Sequence, residues 1–136
     1  MTESMSQRRT GQGFTLIELL IVVAIVAILT VTAIASYEFA MVKARTSAAK
    51  GCLTDHAQYM ERYYTTAMTY VGAAAPTCSD DVSPFYTISY AEDPTASAYT
   101  LQIVPQGRQA EADGKCGTMT IDQTGKKTAT KADCWK

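Results

Sequence analysis

From residue 13 to residue 29 the chain reads GFTLIELLIVVAIVAIL, apolar apart from Thr15 and Glu18. Glu18 is the only charged residue between Phe14 and Tyr37. An apolar run of this length can span a bilayer as a helix. A carboxylate near the centre of such a helix costs about 2.5–3.5 kcal/mol, and an ionisable group there is a functional candidate by default. From Glu38 onward the pattern changes to an amphipathic one. On a 3.6-residue period Ala49, Leu53, His56, Met60 and Tyr63 form one stripe, with Lys43, Lys50, Asp55, Glu61 and Arg62 off it. No proline falls within residues 14–64, and Gly51 is the one interior glycine. The pattern predicts a continuous helix of about 50 residues, roughly 75 Å long, apolar all round in its first half and amphipathic in its second. The remaining residues are too few to cover it, so its first half must lie in lipid or against copies of itself.

Residues 65–83 (TTAMTYVGAAAPTCSDDVS) read as a loop. Three strands are predicted after it, at residues 85–90 (FYTISY), 99–104 (YTLQIV) and 117–122 (GTMTID). The connectors AEDPTASA and PQGRQAEADGK are turn-like and short enough for an antiparallel meander. QTGKK predicts a further turn, after which TATKADCWK leads back towards Cys116. The expected fold class is α+β, with the amphipathic half of the helix packed on a small antiparallel sheet.

Composition narrows the function classes. With 136 residues the chain has room for one small domain beyond the apolar segment. Its net charge is −1, and Arg8-Arg9 is its only basic pair outside QTGKK, so nucleic acid is not expected as a direct ligand. The four cysteines, Cys52, Cys78, Cys116 and Cys134, all follow the apolar segment and contain no CxxC. Metal sites usually bring ligands in close pairs, and the only histidine is His56, so two disulfides in an oxidising compartment are expected and no metal. Of the three possible pairings, Cys52 with Cys78 and Cys116 with Cys134 avoid dragging the tail across the sheet.

Arg8 and Arg9 before an apolar run read as the charged start of an export signal. An ordinary secretory signal is one possibility, because Ala33-Ile34-Ala35 is an A-x-A site with Ser36 after it. The run is longer than the usual signal core, however, and Glu18 has no purpose inside one. A twin-arginine signal matches in little beyond its two arginines.

The alternative is a cut before the apolar run. G-F-T-L-I-E followed by about 20 apolar residues resembles the class III signal of type IV pilins and pseudopilins. The resemblance implies cleavage between Gly13 and Phe14 by a membrane-embedded prepilin peptidase, followed by N-methylation of Phe14. It gives Glu18 a partner, since the new amine at Phe14 lies at the positive end of a helix dipole and i, i+4 residues share a face. Glu18 could neutralise its own chain's amine or that of a newly arriving subunit, and the family is thought to use the second. The implied organisation is a leader over residues 1–13, a membrane and filament-core helix over 14–36, and a periplasmic head over 37–136. The true start is Met1 or Met5. Family members often carry Pro where this chain has Ala35 and Gly near Ala27; without them, only Thr30, Val31, Thr32 and Ala33 could loosen the helix. AQYMERYYT, CSDDVSPFYTIS, AYTLQIVPQG, CGTMTIDQTGKK and ADCW are similar to PilE-type minor pilins of type IVa pili.

Signs of catalysis are missing: there is no G-x-S-x-G, H-E-x-x-H or P-loop. His56 reads as a packed histidine, Asp80-Asp81 and Glu92-Asp93 as solvated loop acids, Tyr59, Tyr63 and Tyr64 as core, and Trp135 as packed beside a disulfide. The resemblance implies a non-enzymatic structural subunit without cofactor, in a pilus serving twitching motility, attachment or DNA uptake. Its partners would be other pilin subunits through the N-terminal helix, the prepilin peptidase, the assembly platform and ATPases, and the inner membrane before assembly. The alternatives are a major pilin or type II secretion pseudopilin, and a secreted binding domain cut after Ala35.

Overall fold

A computed structural model of the chain describes residue 11 and residues 13–136. Arg8, Arg9, Met1, Met5 and most of the expected leader lie outside the described residues. The chain divides into two compact units, Met1–Tyr37 and Glu38–Lys136.

Helix α1 runs Leu16–Ala67 and belongs to both units. In the first unit every described residue is exposed, including Leu19, Leu20, Ile21, Val22 and Val23. The helix is continuous, as the proline-free pattern predicts, through Thr30, Val31, Thr32 and Ala33 as well. Thr30 Oγ1 donates to the Val26 carbonyl (2.7 Å) and Thr32 Oγ1 to that of Leu29 (3.0 Å), returning both hydroxyls to the helix.

The second unit packs the rest of α1 on a four-stranded antiparallel sheet. Strands β1 (Tyr86–Glu92), β2 (Thr100–Pro105), β3 (Met119–Asp122) and β4 (Lys127–Thr128) follow one another in space in chain order. Leu101 and Ile103 of β2 are fully buried while Thr100 and Gln102 are half-buried, the period-2 signature of a sheet with one covered face. In register, Ile103 lies opposite Ile88 and Met119, and Leu101 opposite Tyr90 and Ile121, so the apolar rows of three strands form one layer. Against it α1 buries Thr46, Ala49, Leu53, Ala57 and Met60. The expected stripe is thus corrected by rotation: Thr46 and Ala57 join Ala49, Leu53 and Met60 on the buried face, and His56 and Tyr63 are only half-buried at its margin. At Ala57 the Tyr99 hydroxyl donates to the backbone carbonyl (3.4 Å), a contact that the periodicity of large apolar residues does not reveal.

Four further differences from expectation concern connections. The helix runs three residues beyond Tyr64 before the loop begins. It ends where Met68 adopts a left-handed φ of 55° and its N–H reaches the Tyr64 carbonyl (2.8 Å). The connector PQGRQAEADGK contains a short helix α2 (Gly107–Ala112) instead of a plain turn. The expected tail forms β4 and then a 3₁₀ turn, Ala132–Trp135.

Helix α2 is held by a buried polar cluster. Gln109 Nε2 donates to the Val42 carbonyl (3.1 Å) and the Tyr86 hydroxyl (3.0 Å). The Thr46 and Tyr86 hydroxyls both donate to Asp113 Oδ2, at 2.7 and 3.0 Å. Burial pushes the Tyr86 phenol up, which keeps it a donor to this carboxylate. Two disulfides complete the unit. Cys52–Cys78 ties α1 to the following loop, and Cys116–Cys134 ties the entry to β3 to the 3₁₀ turn.

Candidate functional site

In the first unit the chemistry sits at the start of α1. Thr15 precedes the helix, and its Oγ1 accepts the backbone N–H of Glu18 at 3.3 Å. T-L-I-E therefore has the form of a capping box, S/T-x-x-E/Q, a signal legible in the sequence that reading the segment only as an apolar run missed. The cap fixes where the helix begins and puts Glu18 in its first turn, where the exposed N–H groups favour negative charge. Among the described residues the Glu18 carboxylate has no hydrogen-bond or ion-pair partner. Phe14 is 85% exposed, and Gly13, also exposed, lies before the helix. The helix Leu16–Ala67 is long and apolar enough to cross a membrane, with none of its most apolar window buried.

The second unit separates packed aromatics from surface chemistry. Tyr70 lies tilted against Tyr64 (4.7 Å between centroids) and edge-on to Tyr99 (4.8 Å), and the Tyr70 and Tyr99 hydroxyls both donate to Glu61 Oε1 (3.2 Å each). Burial, reinforced by that carboxylate, raises both phenols. Tyr59 and Tyr64 pack against the core, whereas the Tyr63 hydroxyl donates to the Val71 carbonyl on the exposed side. His56 Nε2 lies 3.4 Å from the Tyr90 hydroxyl, and burial lowers its pKa. Trp135 donates its indole N–H to the Thr128 carbonyl (2.8 Å) and carries Lys127 over its ring at 5.0 Å. Asp80, Asp81, Glu92 and Asp93 are exposed. Among the described residues no group of His, Cys, Asp and Glu is arranged to hold a metal ion.

Residues 8–34 match the prokaryotic N-terminal methylation motif, and residues 35–120 match the family described as "Type IV minor pilin ComP, DNA uptake sequence receptor". The chain belongs to this type IV minor pilin family. A type IV pilin from Shewanella oneidensis of known structure is 30% identical over 70% of this chain and 98% of its own, with a TM-score of 0.56. The non-core minor pilin PilV of Neisseria meningitidis shares the fold at 23% identity, over 65% of this chain and 86% of its own, with a TM-score of 0.52. No curated protein matches the chain. As a minor pilin it is a structural subunit of a type IV pilus, held in the inner membrane through its N-terminal segment and assembled into an extracellular filament with other subunits. Pilins of this family are structural proteins rather than enzymes. The family match supports a minor pilin over the major-pilin, pseudopilin and secreted-domain alternatives.

Proposed function

We propose that this minor pilin matures by cleavage between Gly13 and Phe14, that Phe14 becomes the methylated N-terminus, and that Glu18 then meets the Phe14 amine of a neighbouring subunit in the filament. The observation that carries this reading is the lone Glu18 carboxylate, unpartnered among the described residues, on an exposed apolar helix. An unpaired charge there is costly, and an amine created by cleavage at the start of a neighbouring helix offsets that cost only on assembly. Residues 14–36 are the membrane and filament-core helix and residues 37–136 the periplasmic head. The prepilin peptidase and the assembly platform are the processing partners, and the chain has no catalytic activity of its own. Mass spectrometry of filament protein tests this directly. A methylated Phe14 terminus is expected, and Gly13→Val should accumulate as full-length precursor in the membrane. A mature terminus at Ser36 would overturn the reading.

A second part of the reading concerns the pilus-dependent activity. The ComP family is described as a DNA uptake sequence receptor, which argues against the expectation, drawn from net charge, that nucleic acid is no direct ligand. Charge is unevenly placed: residues 115–136 carry Lys115, Lys126, Lys127, Lys131 and Lys136 against Asp122 and Asp133. We infer that this C-terminal region contacts DNA phosphates and that the pilus serves DNA uptake in preference to twitching or attachment. Replacing Lys126, Lys127 and Lys131 by alanine should weaken DNA binding by the detergent-solubilised protein and flatten its salt dependence, by about one unit of slope for each phosphate no longer neutralised. Unchanged salt dependence would remove the DNA reading and leave the pilin reading intact.

A further inference from the structure

Along the head, α1 and the loop after it leave a groove of about 570 Å³. Gly51, the Cys52–Cys78 disulfide, Asp55, His56, Tyr59 and Asp81 line it, and among the described residues no lysine or arginine does. The His56 and Tyr59 rings stand together at 5.1 Å between centroids. Asp55 and Asp81 are exposed and, among the described residues, unpaired by any cation.

Gly51 is the feature that the fold does not account for. Glycine inside a helix destabilises it by about 1 kcal/mol relative to alanine. Gly51 has neither a positive φ nor a close neighbour: a Cβ placed there would meet nothing within 4 Å. Internal packing therefore gives no reason for the missing side chain. Gly51 and Asp55 are i and i+4, as are Cys52 and His56, so the bare backbone, the carboxylate and the aromatic wall share one helix face. Glycine serves where another group must approach the backbone, and among the described residues the space beside Gly51 is open.

We propose that this groove binds an extended polypeptide segment carrying a basic side chain, its backbone lying across Gly51 and its cation held by Asp55 and Asp81 against the Tyr59 ring. Two carboxylates without a cation select positive charge, and a phenol face adds cation–π attraction. A length of backbone, rather than a compact ion, matches a lining that is bare of a Cβ at Gly51.

His56 is the only histidine in the chain, so its imidazole signals report on the groove alone. The full chain in neutral detergent micelles, titrated with acetyl-Gly-Lys-Gly-Lys-Gly-amide, should show a saturable shift of those signals. The same peptide with glutamate for lysine should give none. Asp55→Asn with Asp81→Asn should weaken binding at least tenfold. Gly51→Leu should abolish it while thermal stability holds or rises, because leucine is the better helix former. The proposal is overturned by an unshifted His56 with the lysine peptide at millimolar concentration, by Gly51→Leu binding as the parent does, or by spermidine saturating the site while the peptide does not.

Discussion

Replacing Glu18 by glutamine separates the two physical roles that its position allows. The local role is set by the start of α1, where Thr15 Oγ1 accepts the Glu18 N–H at 3.3 Å and the side chain sits in the first turn. Glutamine suits the third position of a capping box as well as glutamate does, so the helix start survives the change. What is lost locally is a charge–dipole term of about 0.3–1 kcal/mol. The assembly role is larger. If Glu18 meets the Phe14 amine of a neighbour within an apolar bundle, removing one partner of a buried pair costs about 3–5 kcal/mol. At about 1.4 kcal/mol per tenfold, the local role predicts a loss of no more than about fivefold and the assembly role a loss of two to more than three orders of magnitude. The assay is the ratio of sheared-filament protein to membrane-pool protein for Glu18→Gln and the parent. Cleavage after Gly13 is followed in the same samples by the size of the membrane-pool band. The expected result is normal insertion and cleavage with incorporation reduced at least a hundredfold. A reduction below about fivefold would refute the intersubunit pairing and leave Glu18 as a helix-start residue only.

Replacing Cys116 and Cys134 together by serine opens a loop with a sequence separation of 18, and the chain-entropy relation then predicts a loss of about 3 kcal/mol, read by thermal unfolding. An unchanged Tm would mean that the β4 region is held by its packing alone. Gly117→Ala places a Cβ 2.5 Å from Thr130 Oγ1 at a φ of +54°, whereas Gly125→Ala, at +76°, meets nothing within 4 Å. The first should therefore lower stability by roughly 1–3 kcal/mol and the second by less, and equal melting temperatures would contradict the steric argument. Burial lowers the His56 pKa from 6.5, so the folded head binds fewer protons than the unfolded chain. Stability from this group is complete above pH 6.5 and declines as pH falls through 6.5 towards the folded value, and His56→Gln should flatten that part of the stability–pH curve. Asp122, lowered chiefly by its hydrogen bond from Thr124, adds a separate loss below pH 3.8, which Asp122→Asn should remove.

Much of this protein is determined by sequence alone, because its strongest signals are local. An apolar run with a single carboxylate, an unbroken helical period and alternating strands each declare themselves within a few turns or residues of chain. They suffice for the long helix, the meander of β1, β2 and β3, and the motif at Gly13, Phe14 and Glu18. The tertiary structure decided what depends on distant partners. Helix α2 is too short to persist on its own and exists where Gln109 and Asp113 meet Thr46 and Tyr86, residues far away in the sequence. Strand β4, two residues long, forms where β3 offers it an edge and the Cys116–Cys134 disulfide closes the loop around it. The buried stripe of α1 takes in Ala57 and leaves His56 at its margin, because a helical period alone cannot tell which flank of an apolar face a sheet will cover. Gly51 is visible in the sequence as an interior glycine; only the folded chain shows that, among the described residues, nothing fills the space beside it.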